Sequence, residues 1–376
     1  MTETSLADDL REAASASWLP WLASRFIVLL SVALAKYEVS HFHITNQKAV
    51  IEAHAGLLGS DAGWYASIAA HGYHTAGQSS LRFFPLLPVS ARLVHDVFFL
   101  PVGGALLLIS NVCAFALTMG IYFLTKSEFG DSGPARSAAW LINLAPASFT
   151  LVMGYSDALL ILLAVGTFIC LRRHHWLLAA VLGFLAGTAR PLGFLLFLPA
   201  LVEASRGLWA AQRSEQVSRL VSVLAPVTGL LTYLAWVDAE FGSFIRPLTL
   251  QTQSSRHGGL TDPVVTLYHD ALNLIRGHHI GTDLHLPWVL LAAYLVVVVF
   301  RALPISYGLF ASGVLLVAAS GSNLDSFERY ALGAFPLIMG GALLVRSRRV
   351  ETTVLVVGAA CLFGYSLLAF LGAYVP

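Results

Sequence analysis

The feature that most constrains this chain is the recurrence of long apolar stretches. They lie at 19–37, 102–125, 135–153, 157–171, 176–189, 191–205, 219–238, 286–302, 304–320, 331–346 and 352–373. A helix needs about 20 apolar residues, at about 1.5 Å each, to cross the hydrocarbon core of a bilayer. The 376 residues hold only 22 basic and 21 acidic side chains, so 11% are charged, where a soluble domain carries about 25%. Mean hydropathy is +0.74. These values exclude a soluble enzyme, a disordered chain and a nucleic-acid binder with a basic face. The expected fold is all-α: a polytopic transmembrane helix bundle of about eleven spans.

Domain organisation follows from the same pattern. Residues 1–18 are polar and read as a cytoplasmic N-terminal segment, and 19–376 as a single transmembrane domain. Lys126, Arg136, Arg172, Arg173, Arg206, Arg213, Arg219, Arg346, Arg348 and Arg349 fall in one set of short loops. By the positive-inside rule these loops are cytoplasmic. The long loops 38–101 and 240–285 then face outward, so any chemistry belongs on the outer side. Residues 82–98 contain Arg92, His95 and Asp96, and read as an external interfacial helix rather than a span. Cys113, Cys170 and Cys361 sit in apolar runs and read as core residues.

Charged residues in the outward segments are the candidates for chemistry. In "SDAGWYASIAAHGYH" (60–74), Asp61, Trp64, Tyr65 and Ile68 repeat at helical spacing, which predicts an amphipathic helix with its aromatics at headgroup depth. Two readings of Asp61 stand at this point. It, or Ser60, caps the helix, or it is a carboxylate acting as general base on an acceptor hydroxyl. His71 and His74 follow as interfacial polar residues. Arg82 in "LRFFPLLP" is an interfacial anchor or a guanidinium for a lipid phosphate. Tyr155 and Asp157 in "GYSDALL" stand at the head of a helix, where Ser156 or Asp157 is again a cap candidate. Arg190 lies in "TARPLG", where two half-length apolar stretches meet; an arginine at such a break is costly without an anion. Arg246, Arg256 and His257 lie in the second long loop. Glu328, Arg329 and Tyr330 lie at the outer end of a span, with Arg329 either binding phosphate or pairing with Glu328. No nucleotide-binding loop, GxSxG or HExxH motif is present.

Taken in order, "DAGWYASIAAHGY" (61–73), "RFFPLLP" (82–88), "GYSDALLILL" (154–163), "RRHHWLLAAVLGFLAGTARPLGFLLFLPALVEA" (172–204), "FGSFIRPLTLQTQ" (241–253) and "ERYALGAFP" (328–336) resemble the bacterial branch of the GPI mannosyltransferase II family, within the GT-C superfamily of polytopic glycosyltransferases. The resemblance spans roughly residues 18–345. It implies a bacterial plasma-membrane enzyme, N-terminus cytoplasmic and active site outside, that inverts the anomeric centre as it moves mannose from a polyprenyl phosphate to a glycolipid or glycan acceptor. It implies Asp61 as catalytic base. Arg82, Arg190, Arg256 and Arg329 are expected to hold the donor phosphate. Trp64, Tyr65, His71, Tyr155, Asp157, His257, Glu328 and Tyr330 are expected to contact substrate. A phosphate leaving group needs no general acid, and no cofactor or metal is expected. The chain departs from the family where Pro-Tyr-Ser-Glu becomes Gly154-Tyr155-Ser156-Asp157, which keeps a carboxylate, and where Gly-Asp-Pro becomes Gly242-Ser243-Phe244, which loses one. The competing classes are a flippase of a lipid-linked sugar and a non-catalytic assembly partner.

Overall fold

The computed structural model describes residues 3–42, 44, 46–253, 259, 261–276 and 285–374. Every regular element among them is helical. Helix α1 spans Glu3–His41, α2 Gln47–Ala55, α3 Asp61–Ala76 and α4 Leu86–Phe98. The next six are α5 (Val102–Phe129), α6 (Ser132–Leu144), α7 (Asp157–Arg172), α8 (Trp176–Ala189), α9 (Phe197–Ser205) and α10 (Arg213–Phe241). A single turn, α11 (Arg246–Thr249), and α12 (Pro263–Arg276) follow. The last five are α13 (Leu286–Ala302), α14 (Ile305–Ala319), α15 (Phe327–Gly333), α16 (Pro336–Ala342) and α17 (Arg348–Phe370). Among the described residues, four helices are long and apolar enough to cross a membrane: α1 from Ala7, α5, α10 and α17. Their outward faces carry exposed Phe26, Leu29, Val112, Leu224 and Val356, the surface a bilayer covers.

Helix α1 is already helical at Glu3, within the stretch 1–18. Two expected stretches are built differently from the reading above. The stretch 135–153 is not one helix. It stops at Leu144, Ala145 turns extended (ψ 150°) and Pro146–Leu151 continues as a 3-10 helix. The residue before a proline is pushed out of the α region. The stretch 331–346 breaks at Ala334, two residues before Pro336, for want of a continuous i to i−4 ladder.

The same chemistry makes the break that matters most. Arg190 precedes Pro191 and is extended (φ −158°, ψ 156°), after which Pro191–Leu196 forms a 3-10 helix before α9. That segment lies directly on α8. A Cβ on Gly193 would come 2.0 Å from the Ala186 carbonyl oxygen, so only glycine fits. The helices α8 and α10 also cross at backbone contact, with Gly187 against Pro226 and Gly229 against Phe184.

Polar groups inside the bundle are satisfied by pairing. Buried Arg25 of α1 donates to Asn111 Oδ1 (3.0 Å), Asn143 Oδ1 (3.1 Å), Ser24 Oγ (2.8 Å) and the Leu151 carbonyl (3.2 Å), tying α1 to α5 and α6. At one end of the bundle, Arg172 donates to Glu128 (2.8 Å), Tyr307 donates to Glu128 (2.9 Å) and Ser306 donates to Glu203 (2.6 Å). The heads of α3 and α7, the Arg190 break and α15 meet at the opposite end, where the candidate site lies.

Candidate active site

A cavity of about 710 Å³ opens there. Its polar walls include Glu52, Asp61, Arg82, Arg190 and Arg329. Its apolar walls include Trp64, Phe83, Leu192, Phe194 and Val317. Segments far apart in the chain supply them: α2, the head of α3, the 3-10 turn Gln78–Arg82, the Arg190 break, the end of α14 and the start of α15.

The centre of the site is a chain of four charges. Arg329 donates through Nε to Asp157 Oδ1 (3.0 Å) and Oδ2 (3.1 Å), and through Nη2 to Asp157 Oδ2 (2.8 Å). Its Nη1 donates to Asp61 Oδ2 at 2.8 Å. Arg190 Nη1 donates to Asp157 Oδ1 from the other side. The Arg329 guanidinium also lies over the Tyr155 ring, 4.6 Å from its centroid. Two carboxylates and two guanidiniums leave the group electrically neutral. That is how a charge as buried as Arg329 (side chain 4% exposed) is accommodated.

This geometry bears on the capping readings left open at Asp61 and Asp157. Both stand in the first turn of their helices. Ser60 and Ser156, in the N-cap positions, make no side-chain capping bond. The carboxylates bind arginines instead. Asp61 is 22% exposed against 4% for Asp157, so Asp61 meets the cavity and Asp157 lies beneath it. Among the described residues, Oδ1 of Asp61 has no hydrogen-bond partner, since Arg329 takes Oδ2.

The aromatic face of α3 turns onto protein and cavity rather than out to lipid headgroups. Trp64 stacks on Phe83 (5.9 Å), Tyr65 meets Phe83 edge-on (5.0 Å), and the Tyr65 hydroxyl pairs with Ser156 Oγ at 2.7 Å. Burial pushes the Tyr65 hydroxyl up to about 12. Helix α3 is broken at Gly72, where φ is +78°. Helix α4, too short to span, exposes an apolar face: Val89, Leu93, Val97 and Phe98. Arg82 lies with its guanidinium 4.4 Å over Phe83 and 5.8 Å over Trp64.

Several expected site residues lie elsewhere or act differently. Arg329, expected on the donor phosphate, spends its Nε, Nη1 and Nη2 on Asp61 and Asp157, and is a bridge between them. Tyr155 is fully buried and supports the site from below, its hydroxyl accepting from the Asp61 N–H at 3.4 Å. Asp157 is likewise buried and does not line the cavity. Glu328 does not face the cavity. It accepts from the His285 ring (2.7 Å) and from the Tyr374 hydroxyl (2.9 Å) in a separate buried cluster. Consecutive helical residues point about 100° apart; here the rotation of α15 turns Arg329 and Tyr330 to the cavity and Glu328 away from it. His71 is exposed outside the cavity wall. Tyr330 does line the cavity, 5.9 Å from Arg190. Arg256 and His257 lie outside the described residues. Among the described residues, no three His, Cys, Asp or Glu side chains converge on a metal position. Sequence reasoning missed Glu52, Gln251 and Asp325 in the cavity wall. The available signal for Glu52 was "NQKAVIEAHAG" (46–56): an Asn cap, helical spacing and a closing glycine.

Comparison with known proteins bears on the fold. No protein-family model matches the chain, and no curated protein matches it. Among solved structures, it is similar to ArnT from Cupriavidus metallidurans bound to undecaprenyl phosphate, with 16% identity and a TM-score of 0.51 over 80% of this chain and 58% of that one. Apo Archaeoglobus fulgidus oligosaccharyltransferase also matches, with 14% identity and a TM-score of 0.48 over 96% of this chain and 57% of that one. The chain thus spans a little over half the length of both. The fold is an all-α transmembrane helix bundle similar to that of the ArnT structure.

Proposed function

We propose that this protein is a membrane glycosyltransferase that takes a sugar, mannose by its sequence resemblance, from a polyprenyl phosphate and inverts the anomeric centre. Its acceptor is a lipid-linked or glycan hydroxyl on the outer face of a bacterial plasma membrane. The observation that carries the reading is Asp61. One carboxylate oxygen is fixed by Arg329 and the other meets a cavity walled by Arg82 and Arg190. The fold likeness to a structure holding undecaprenyl phosphate lends support.

The chemistry runs as follows. The acceptor oxygen attacks the anomeric carbon while its proton passes to Asp61 Oδ1. The bond from the anomeric carbon to the phosphate oxygen breaks, and polyprenyl phosphate leaves with the electron pair. A general base of this kind contributes about 10²–10⁴-fold. The developing phosphate charge needs donors already in place. Arg82, stacked on two rings, and Arg190, anchored by Asp157, supply them. The apolar wall of Leu192, Phe194 and Val317 suits a lipid-linked donor.

The test is transfer from synthetic polyprenyl-phosphate mannose to a membrane glycolipid extract, with Asp61→Asn in parallel. Asp61→Asn keeps the Arg329–Asp157 pair, so it folds and binds donor but loses turnover. An Asp61→Asn protein as active as wild type removes Asp61 from the mechanism. Transbilayer movement of the donor without transfer assigns the protein to the flippase class instead.

A further inference from the structure

A second carboxyl shares the cavity with Asp61, and its surroundings differ from those of the four-charge chain. Glu52 of α2 borders two spaces at once. One is the large cavity. The other is a pocket of about 40 Å³ walled by Lys48, Glu52, Ser60, Tyr155 and Tyr374. Glu52 and Ser60 are common to both, so the two spaces meet there. The pocket runs from the buried hydroxyl of Tyr155 to exposed Lys48 at the surface. A buried water needs about 10–15 Å³ and two to four polar partners. The pocket has room for water and is too small for a sugar.

The turn before Asp61 is shaped around this carboxyl. A Cβ on Gly59 would lie 2.5 Å from Glu52 Oε2, so the backbone passes directly against it. Ser60 next to it takes φ +51°, a strained conformation for a non-glycine residue. The Ser60 backbone N–H favours the charged form of Glu52. Asp61 and Glu52 thus border the same cavity, with Gly59 and Ser60 between them.

We propose that Glu52 is the proton exit of the site: it takes the acceptor's proton from Asp61 and passes it, through water in the small pocket, to solvent beside Lys48. The proposal rests on the glycosyltransferase reading above. Each turnover leaves one proton on Asp61, and the next requires it gone. The step forms an O–H bond at Glu52 as one breaks at Asp61, and Glu52 then returns to carboxylate. The charged and titratable groups facing Glu52 are Lys48 on its own helix, Asp61 on α3, Tyr155 before α7 and Tyr374 after α17. Burial raises the Glu52 carboxyl above the usual range, with Asp61 adding to the rise and Lys48 opposing it, as suits a group that must both take and release a proton.

The experiment compares wild type with Glu52→Gln at increasing concentrations of small buffers such as formate and imidazole. Expected is a fall in kcat of about 10²-fold at low buffer, donor KM unchanged, and recovery of the rate as buffer rises, with wild type insensitive. Wild-type kcat in Glu52→Gln overturns the proposal, as does a loss that no buffer restores. Ala369→Met, which fills the pocket and keeps Glu52, is the second variant. It should show the same loss and recovery, and an unchanged kcat there overturns the route even if Glu52→Gln does not fold. Absence of sugar transfer in wild type would instead overturn the glycosyltransferase reading.

Discussion

Arg329 holds Asp61 by a single hydrogen bond of 2.8 Å from Nη1, while the rest of its guanidinium grips Asp157. The two carboxylates thus have unequal roles. Asp157 is the anchor that lets two arginines lie near the bundle interior. Asp61 is the carboxylate that anchor orients toward the cavity. Rotation of Asp61 is limited before substrate arrives, which is how positioning lowers a barrier.

The anchor should govern stability. Asp157→Ala leaves Arg329 and Arg190 buried without their shared partner, and breaking such a pair costs about 3–5 kcal/mol. Thermal unfolding in detergent should show a large loss for Asp157→Ala and a small one for Asp61→Asn, whose site is more exposed. Equal losses in the two variants would contradict the assignment of anchor and base.

Arg82 should govern donor affinity. Its planar guanidinium stacks on Phe83 and Trp64, which an ammonium cannot reproduce. Arg82→Ala should raise the donor KM about 10- to 100-fold, from the loss of a charge-assisted hydrogen bond. Arg82→Lys should recover only part of it. Full recovery by lysine would show that charge alone matters there.

The crossing of α8 and α10 should tolerate no side chain. A Cβ on Gly229 would lie 2.2 Å from the Phe184 carbonyl oxygen, and one on Gly187 would lie 2.3 Å from that of Pro226. Gly229→Ala should cost about 1–3 kcal/mol by overpacking. Gly364→Ala, where a Cβ meets nothing within 4 Å, should be neutral or stabilising. Matching melting temperatures for the two variants would refute the backbone contact.

Stability should fall at alkaline pH. Tyr65 is buried, and its hydroxyl titrates at about 12 in the fold against about 10 in the unfolded chain. The folded state therefore holds its proton longer. The resulting stabilisation is complete below about pH 10 and is lost as pH rises toward 12. Melting curves between pH 8 and 12 should drop less steeply for Tyr65→Phe than for wild type. Identical slopes would place the alkaline loss on other groups.

Much of the architecture was written locally. The Ala145–Pro146 break inside the stretch 135–153 was missed, but apolar length marked the long helices and the Arg190–Pro191 pair marked the break there, because both are properties of adjacent residues. Asp61 was legible for the same reason, standing between a turn and a helical repeat. Pairing was not legible. Arg329 reaches Asp157 and Asp61 across 172 and 268 residues, and Arg190 reaches Asp157 across 33. No local pattern encodes such partners. Of the neighbours Glu328 and Arg329, only the rotation of a seven-residue helix decides which one meets the cavity. By itself, the sequence determined an all-helical chain with its polar chemistry gathered in a few segments. The tertiary structure alone decided which charges neutralise one another and which carboxylates line the cavity, because burying a charge is tolerable only where packing brings its partner within hydrogen-bond reach.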